Sequence, residues 1–174
     1  MEENTMVSIE ELKKIYLLQN LTDKMLEKIV PHLRVLQCGD REIIFEEGTK
    51  AENFYMLKRG KILLEMEISD RLGVSLGSIK AGYSFGWSAL LAGPSHTNHA
   101  VCAEPSDVFA IPGETLRDIL EGDPLMGYKV MSIAATILKN RLERRTAQLL
   151  NAIAHHPDMQ KLLDSPSEEE FSAG

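Results

Sequence analysis

From Gly82 the chain reads Gly-Tyr-Ser-Phe-Gly-Trp-Ser-Ala-Leu-Leu, and from Pro94 it reads Pro-Ser-His-Thr-Asn-His. A glycine turn that opens a short helix leaves backbone N–H groups unpaired at a positive dipole end, which is a general device for holding an anion. A purely structural turn that packs Phe85 and Leu90 inward explains the same residues. Beside the turn, Ser88, Thr97, Asn98 and a protonated His96 would supply further donors to a polar or anionic ligand. His96, His99 and Cys102 stand three apart, as metal or haem ligands can. On a strand, however, positions three apart face opposite ways, so the plain expectation is pocket-lining or surface histidines and a buried thiol. Cys38 reads as a small core residue. His155 and His156 precede Pro157 at a helix end, where imidazoles complement the dipole.

Catalytic signatures are absent: there is no Walker loop, Gly-x-Ser-x-Gly elbow or His-Glu-x-x-His, and no carboxylates cluster at a usable spacing. The expectation is therefore not an enzyme.

Helices must frame this segment. Ser8 with Glu11 is a capping box, and Ile9, Leu12, Ile15 and Tyr16 follow at helical spacing, predicting a first helix. Thr22 caps a second one carrying Met25, Leu26, Ile29 and Val30, ended by Pro31. From Arg34 to Ile111, glycines punctuate short apolar runs, which predicts strands and tight turns. Ile62, Leu64, Met66 and Ile68 alternate with Lys61, Glu65 and Glu67, and Leu72, Val74 and Leu76 resume the alternation after Ser69-Asp70-Arg71 as a hairpin partner. Many such strands imply a sandwich or barrel. After Pro112 the period is helical again: a short helix with Leu116, Ile119 and Leu120, and then a long one over about 125–155. The acidic stretch 157–174 has the composition of disorder.

This order of elements resembles the cyclic-nucleotide-binding domain family, which includes the sensor domain of bacterial catabolite activator proteins. The likeness rests on Gly39-Asp40, on Ile43-Ile44-Phe45-Glu46-Glu47-Gly48, on Tyr55-Met56-Leu57 before Gly60, and on Gly82-x-x-Phe85-Gly86 opening the family's phosphate-binding cassette. It runs from about Ile9 to Ile153.

The resemblance implies an α+β, mainly β fold: a double-stranded β-helix or jelly-roll β-roll over 34–112, with the cassette at 82–99. N-terminal helices over 1–33 would flank it, and over 113–156 a short and a long helix would follow, the long one acting as lid and dimerisation element. It also implies a non-catalytic sensor in signal transduction. Its ligand, cyclic AMP, cyclic GMP or another small anion, would contact Phe85, Gly86, Trp87, Ser88, Ala89, Leu90, His96, Thr97 and Asn98, with Arg141 reaching in from the long helix. Ala89-Leu90 match the family cassette. Trp87, however, replaces the Glu that binds the ribose 2′-hydroxyl, His96 aligns with the Arg that pairs with the cyclic phosphate, and His99 stands where the Thr would be.

A guanidinium offers a permanent bidentate fork, whereas an imidazole is charged only near pH 6 to 7 and below. Losing such a contact costs about 1.5–3 kcal/mol, one to two decades of affinity. An indole supplies a donor and cannot replace a carboxylate acceptor. Trp87 is then either a lid that stacks on a base or a plug that fills the pocket. The alternative function is a ligand-free dimerisation or interaction protein; a haem-based gas sensor ranks third.

The bulk composition sets limits. The formal net charge is -7, which opposes a phosphate backbone, and the residues beyond His155 are rich in Glu and Ser, so no DNA-binding unit is expected. Lys139, Arg141, Arg144 and Arg145 cluster on the long helix, a spacing that a solvated face also produces. Val130 to Leu138 is the longest uncharged apolar stretch and falls well below the roughly 20 residues of a membrane span. Two cysteines without a CxxC, and an acidic polar start at Met1-Glu2-Glu3, fit a cytoplasmic protein.

Overall fold

The computed structural model describes residues 7–69 and 72–157, so the acidic stretch expected to be disordered lies almost wholly outside the described residues. The chain divides into two compact units, 1–133 and 134–174.

Short helices open the first unit: α1 (Ile9–Leu12) and α2 (Asp23–Ile29). The capping box forms as expected, the Glu11 N–H donating to Ser8 Oγ at 3.3 Å and the Ser8 N–H to Glu11 Oε2 at 3.1 Å. Thr22 caps α2 by accepting from the Met25 N–H at 3.4 Å. The first helix is shorter than its apolar spacing predicts. The Tyr16 N–H donates to the Gly82 carbonyl at 2.8 Å instead of continuing the helix, and a 3₁₀ turn over Tyr16–Leu18 follows. A tertiary bond to the cassette's first glycine has overridden local periodicity.

Eight strands form two antiparallel four-stranded sheets among the described residues. One has the order β1 (Arg34–Cys38), β8 (Ser106–Pro112), β3 (Asn53–Arg59), β6 (Ser84–Phe85); the other has the order β2 (Ile43–Phe45), β7 (His99–Cys102), β4 (Lys61–Ser69), β5 (Leu72–Lys80). This is the jelly roll, flanked by helices, that the sequence implies. The expected β4–β5 hairpin forms, with a register shift between Leu64 and Glu65 that sets Leu64 opposite Gly77 and Glu65 opposite Ser75. Past that irregularity Ile79 is buried while Val74 is exposed, so the simple alternation read over 72–76 does not extend along the whole strand.

The first sheet has two cores because strand parity divides its side chains. Tyr55, Leu57, Val108 and Ala110 join Phe45, Ile62, Phe85 and Cys102 inside the roll. Phe54, Met56, Phe109 and Ile111 alternate with them and are equally buried on the other face, where α3 (Trp87–Leu90) packs on β3 and α4 (Gly113–Gly122) on β8. Burying each such side chain contributes about 1.5–3 kcal/mol.

Helix α5 (Pro124–Ala154) begins in the first unit, where Met126, Val130 and Ile133 are buried. Asp123 caps it, accepting from the Met126 N–H at 3.1 Å, and pairs with Lys28 at 2.8 Å. Lys28 first, and the backbone bond second, hold the Asp123 carboxyl below its ordinary pKa. In the second unit α5 carries a Lys139–Glu143 pair at 2.7 Å, with Leu142, Leu149, Leu150 and Ile153 exposed. No described helix is long and apolar enough to cross a membrane.

Candidate functional site: the 82–99 cassette

Gly86 is the pivot of the cassette. It adopts φ 73°, ψ 35°, a left-handed conformation, and a Cβ there would stand 2.8 Å from Tyr55 Cδ2 and 3.1 Å from the Asn53 carbonyl. Only glycine fits both the angle and the space. The residue before it, Phe85, enters the roll and stacks on Tyr55, with centroids 5.2 Å apart at 17°. Helix α3 follows. Its Ala89 carbonyl accepts from the Arg117 guanidinium, and Gly113 passes so close that a Cβ there would lie 2.3 Å from the same oxygen. Ala89 and Leu90 are buried, and the Gly93 N–H donates to the Ser88 carbonyl at 2.7 Å, turning the chain back.

Trp87 does not occupy the interior of the roll. It is 8% exposed and meets Phe54 edge-on, centroids 5.2 Å apart at 70°, on the helix side of β3. Among the described residues its Nε1 is buried with no hydrogen-bond partner, as is Ser84 Oγ. The interior instead holds an aromatic group of Phe45, Tyr55 and Phe85, with Phe45 5.5 Å from Tyr55 and 6.0 Å from Phe85.

The second arm, 94–99, is bound to the β2–β3 connection by its backbone. The His96 N–H donates to the Thr49 carbonyl at 2.9 Å, the Gly48 N–H to the His96 carbonyl at 2.8 Å, and the Ala51 N–H to the Pro94 carbonyl at 3.3 Å. Position 96 therefore lies outside any long strand, so strand parity does not decide where its side chain goes. The imidazole turns inward, 4% exposed, and lies flat on Phe45 with centroids 3.7 Å apart at 10°. Burial lowers its pKa from 6.5, so the ring is neutral at pH 7 and offers no charge to an anion.

Thr97 and Asn98 bond locally: Thr97 Oγ1 donates to Asn98 Oδ1 at 3.4 Å, and Asn98 Nδ2 to the His99 carbonyl at 2.9 Å. His99 Nδ1 accepts from the Glu47 N–H at 3.3 Å. Cys102 is buried beside Cys38, and burial pushes the Cys38 thiol up to about 12. Among the described residues no three metal-ligating side chains come together. Arg141 stands in the second unit, where burial first and then Arg145 and Arg144 lower its pKa; a guanidinium stays charged regardless.

A cavity of about 340 Å³ opens beside His96, with Phe45, Glu46, Lys50, Glu52 and Tyr55 in its wall. Phe45 and Tyr55 stand in the sequence as parts of family motifs, and nothing in the sequence marks Glu46 or Glu52 as site residues. The aromatic residues in those motifs were the available signal.

Comparisons with known proteins bear on the family and the fold. A family model described as cyclic nucleotide-binding domain matches residues 35–123. A solved structure from Geobacter metallireducens, described as a cyclic nucleotide-binding protein, is 28% identical with a TM-score of 0.69, covering 79% of this chain and 99% of that one. The catabolite activator protein of Thermus thermophilus shares the fold at 20% identity and a TM-score of 0.66, over 79% of this chain and 63% of that one. An uncharacterised NTE family protein of Mycobacterium tuberculosis is 21% identical over 137 residues, 79% of this chain; the match spans 23% of that longer protein.

Proposed function

The chain belongs to the cyclic nucleotide-binding domain family, and from that premise we propose that it is a non-catalytic sensor or regulatory module whose cassette takes a ligand without the family's carboxylate and guanidinium. The reading rests on one observation. The cradle at Gly86 keeps its left-handed turn while Trp87, in the position of the ribose-binding carboxylate, packs against Phe54. What remains for a ligand is the backbone of Gly86 to Ser88 with the small polar groups of Ser88, Thr97 and Asn98; Arg141, named with them from the sequence, belongs to the second unit. Phe85, Ala89 and Leu90 hold that backbone in place. His96, neutral and stacked, replaces a charge-assisted contact worth about 1.5–3 kcal/mol.

Cyclic AMP and cyclic GMP are the natural first ligands to test. Titration calorimetry at pH 7.5 is expected to give saturable heats one to two decades weaker than a guanidinium-bearing cassette would. Absence of heat and of any thermal shift with either nucleotide at millimolar concentration would sink the nucleotide version. Occupancy acts on α5 by differential binding to two positions of that helix, the minimum a coupled change requires. A cytoplasmic location, and no direct contact with DNA or membrane, belong to the same reading.

A second reading is favoured by the second unit: Leu142, Leu149, Leu150 and Ile153 are 40–68% exposed on one helix. It makes the chain a homodimer through 125–155, with or without ligand. Light scattering at micromolar concentration tests it, and a monomer there would remove the dimer.

A further inference from the structure

We propose that the cavity between His96 and the β2–β3 connection binds a primary organic ammonium ion. The inference shares His96 with the cassette reading, and every other wall residue lies outside 82–99.

Its volume, about 340 Å³, is at the low end for a small-ligand pocket, and it is a cleft open to solvent, with Glu46, Lys50 and Glu52 exposed on its wall. His96 supplies the second observation. The ring is 4% exposed and one face is committed to Phe45, yet among the described residues its nitrogens have no hydrogen-bond partner. The His96 nitrogens are not among the fully buried side-chain atoms left without a partner, so the ring keeps a small access to solvent where it lines the cavity. Burial keeps it neutral, so one ring nitrogen presents a lone pair to whatever enters.

The charges around the cavity select the sign of the ligand. Glu46 and Glu52 stand in the wall against Lys50, whose ammonium already bonds Glu52 Oε1 at 3.0 Å. Glu46 has no ion pair among the described residues, and Arg34, which is not part of the wall, bonds Asn53 Oδ1 at 3.4 Å. An anion would meet two carboxylates in a chain of net charge -7. An ammonium group instead donates to His96 and to Glu46 or the second oxygen of Glu52, and its short alkyl stem lies along Tyr55 and Phe45. The donors matter as much as the charge, since an imidazole lone pair is satisfied only by an N–H or O–H.

The test is a titration of the whole chain with propylammonium chloride, read by NMR of the His96 ring against sodium chloride at equal ionic strength. A saturable shift with Kd at about 1 mM or below is expected. Tetramethylammonium, with the same charge and no N–H, is expected to bind at least about tenfold more weakly, the worth of one charge-assisted bond. Glu46→Gln should lose a similar factor, and His96→Phe, which keeps the stack on Phe45, should do the same when followed through the Tyr55 resonances.

No saturation up to about 100 mM, where binding would contribute under about 1.4 kcal/mol, would overturn the proposal. Equal binding of tetramethylammonium, unchanged affinity in both variants, or tighter binding of sodium acetate would overturn it equally. A parallel titration with cyclic AMP is followed at the Trp87 indole in the parent and in Glu46→Gln, a residue outside the cassette that is expected to leave it unchanged, so either reading can fail without the other.

Discussion

Trp87 and His96 sit on the two arms of one cassette, and the fold has absorbed them in opposite ways. Trp87 faces the helices, edge-on to Phe54, with its Nε1 buried and unbonded. His96 faces the roll, flat on Phe45, and its ring borders a cavity. The two positions that the family resemblance aligns with binding residues therefore have different structural meanings here. At position 87 the new side chain has become core, so the site it left is now scaffold. At position 96 a polar group still meets solvent-sized space, so chemistry remains possible there.

The largest effect that could break this comparison is on stability. Trp87→Ala is expected to cost about 3–5 kcal/mol in urea unfolding, as for other large core truncations. His96→Ala is expected to cost less than half as much, mainly the aromatic pair worth about 0.5–1.5 kcal/mol and some area. Equal losses would place both residues in the same kind of core. Trp87→Phe should fall within about 1 kcal/mol of the parent, because it also deletes the orphaned donor, whose burial costs about 1–3 kcal/mol.

Next is the pivot. Gly86→Ala forces a left-handed angle on a residue with a Cβ, at about 1–2 kcal/mol, and drives that carbon against Tyr55. A fall in Tm of at least about 4 °C is expected in a chain of this size, since each kcal/mol shifts it by about 2–4 °C. An unchanged melt would mean that the turn can relax.

Much of this was legible in the sequence. The Ser8–Glu11 box, the Thr22 cap and the strand alternation are local devices, and each formed where its residues stand. The first helix was misjudged in length because what stops it, the Gly82 carbonyl, comes from far along the chain. Gly82-x-x-Phe85-Gly86 gave the turn, but the destination of Trp87 depends on parity. Phe54 and Tyr55 are adjacent and point to different cores, so the direction in which Gly86 launches α3 decides between them. For His96 a strand argument was the wrong tool, since residues 94–98 follow the β2–β3 connection rather than a regular strand.

A smaller effect sharpens the contrast through pH. Unfolded His96 binds a proton near 6.5 and the folded ring only at lower pH, so between the two the unfolded chain holds more protons. Stability is complete above 6.5 and declines as pH falls through that window. Urea midpoints measured from pH 7.5 down to 5 should show the decline in the parent and in Trp87→Phe, and lose it in His96→Phe. A decline that survives His96→Phe belongs to another group.

The smallest effect lies on the floor beneath both arms. Burial pushes Cys38 up to about 12 and raises Cys102 as well, leaving both as protonated thiols. Iodoacetamide at pH 8 should label neither until urea unfolds the chain. Labelling of the folded protein would show that the roll opens near β1 and β7.

Strand β3 sets a rhythm for the whole site. Its neighbours β8 and β6 flank it on both sides, and its consecutive residues Phe54 and Tyr55 clasp Trp87 and Gly86. The first arm can then part from the sheet only in the rare openings that expose the core itself, at the high-energy end of native-state motion. Under the sensor reading proposed above, the first arm is the fixed jaw, and a ligand would exchange past the second arm, where Thr97 is exposed.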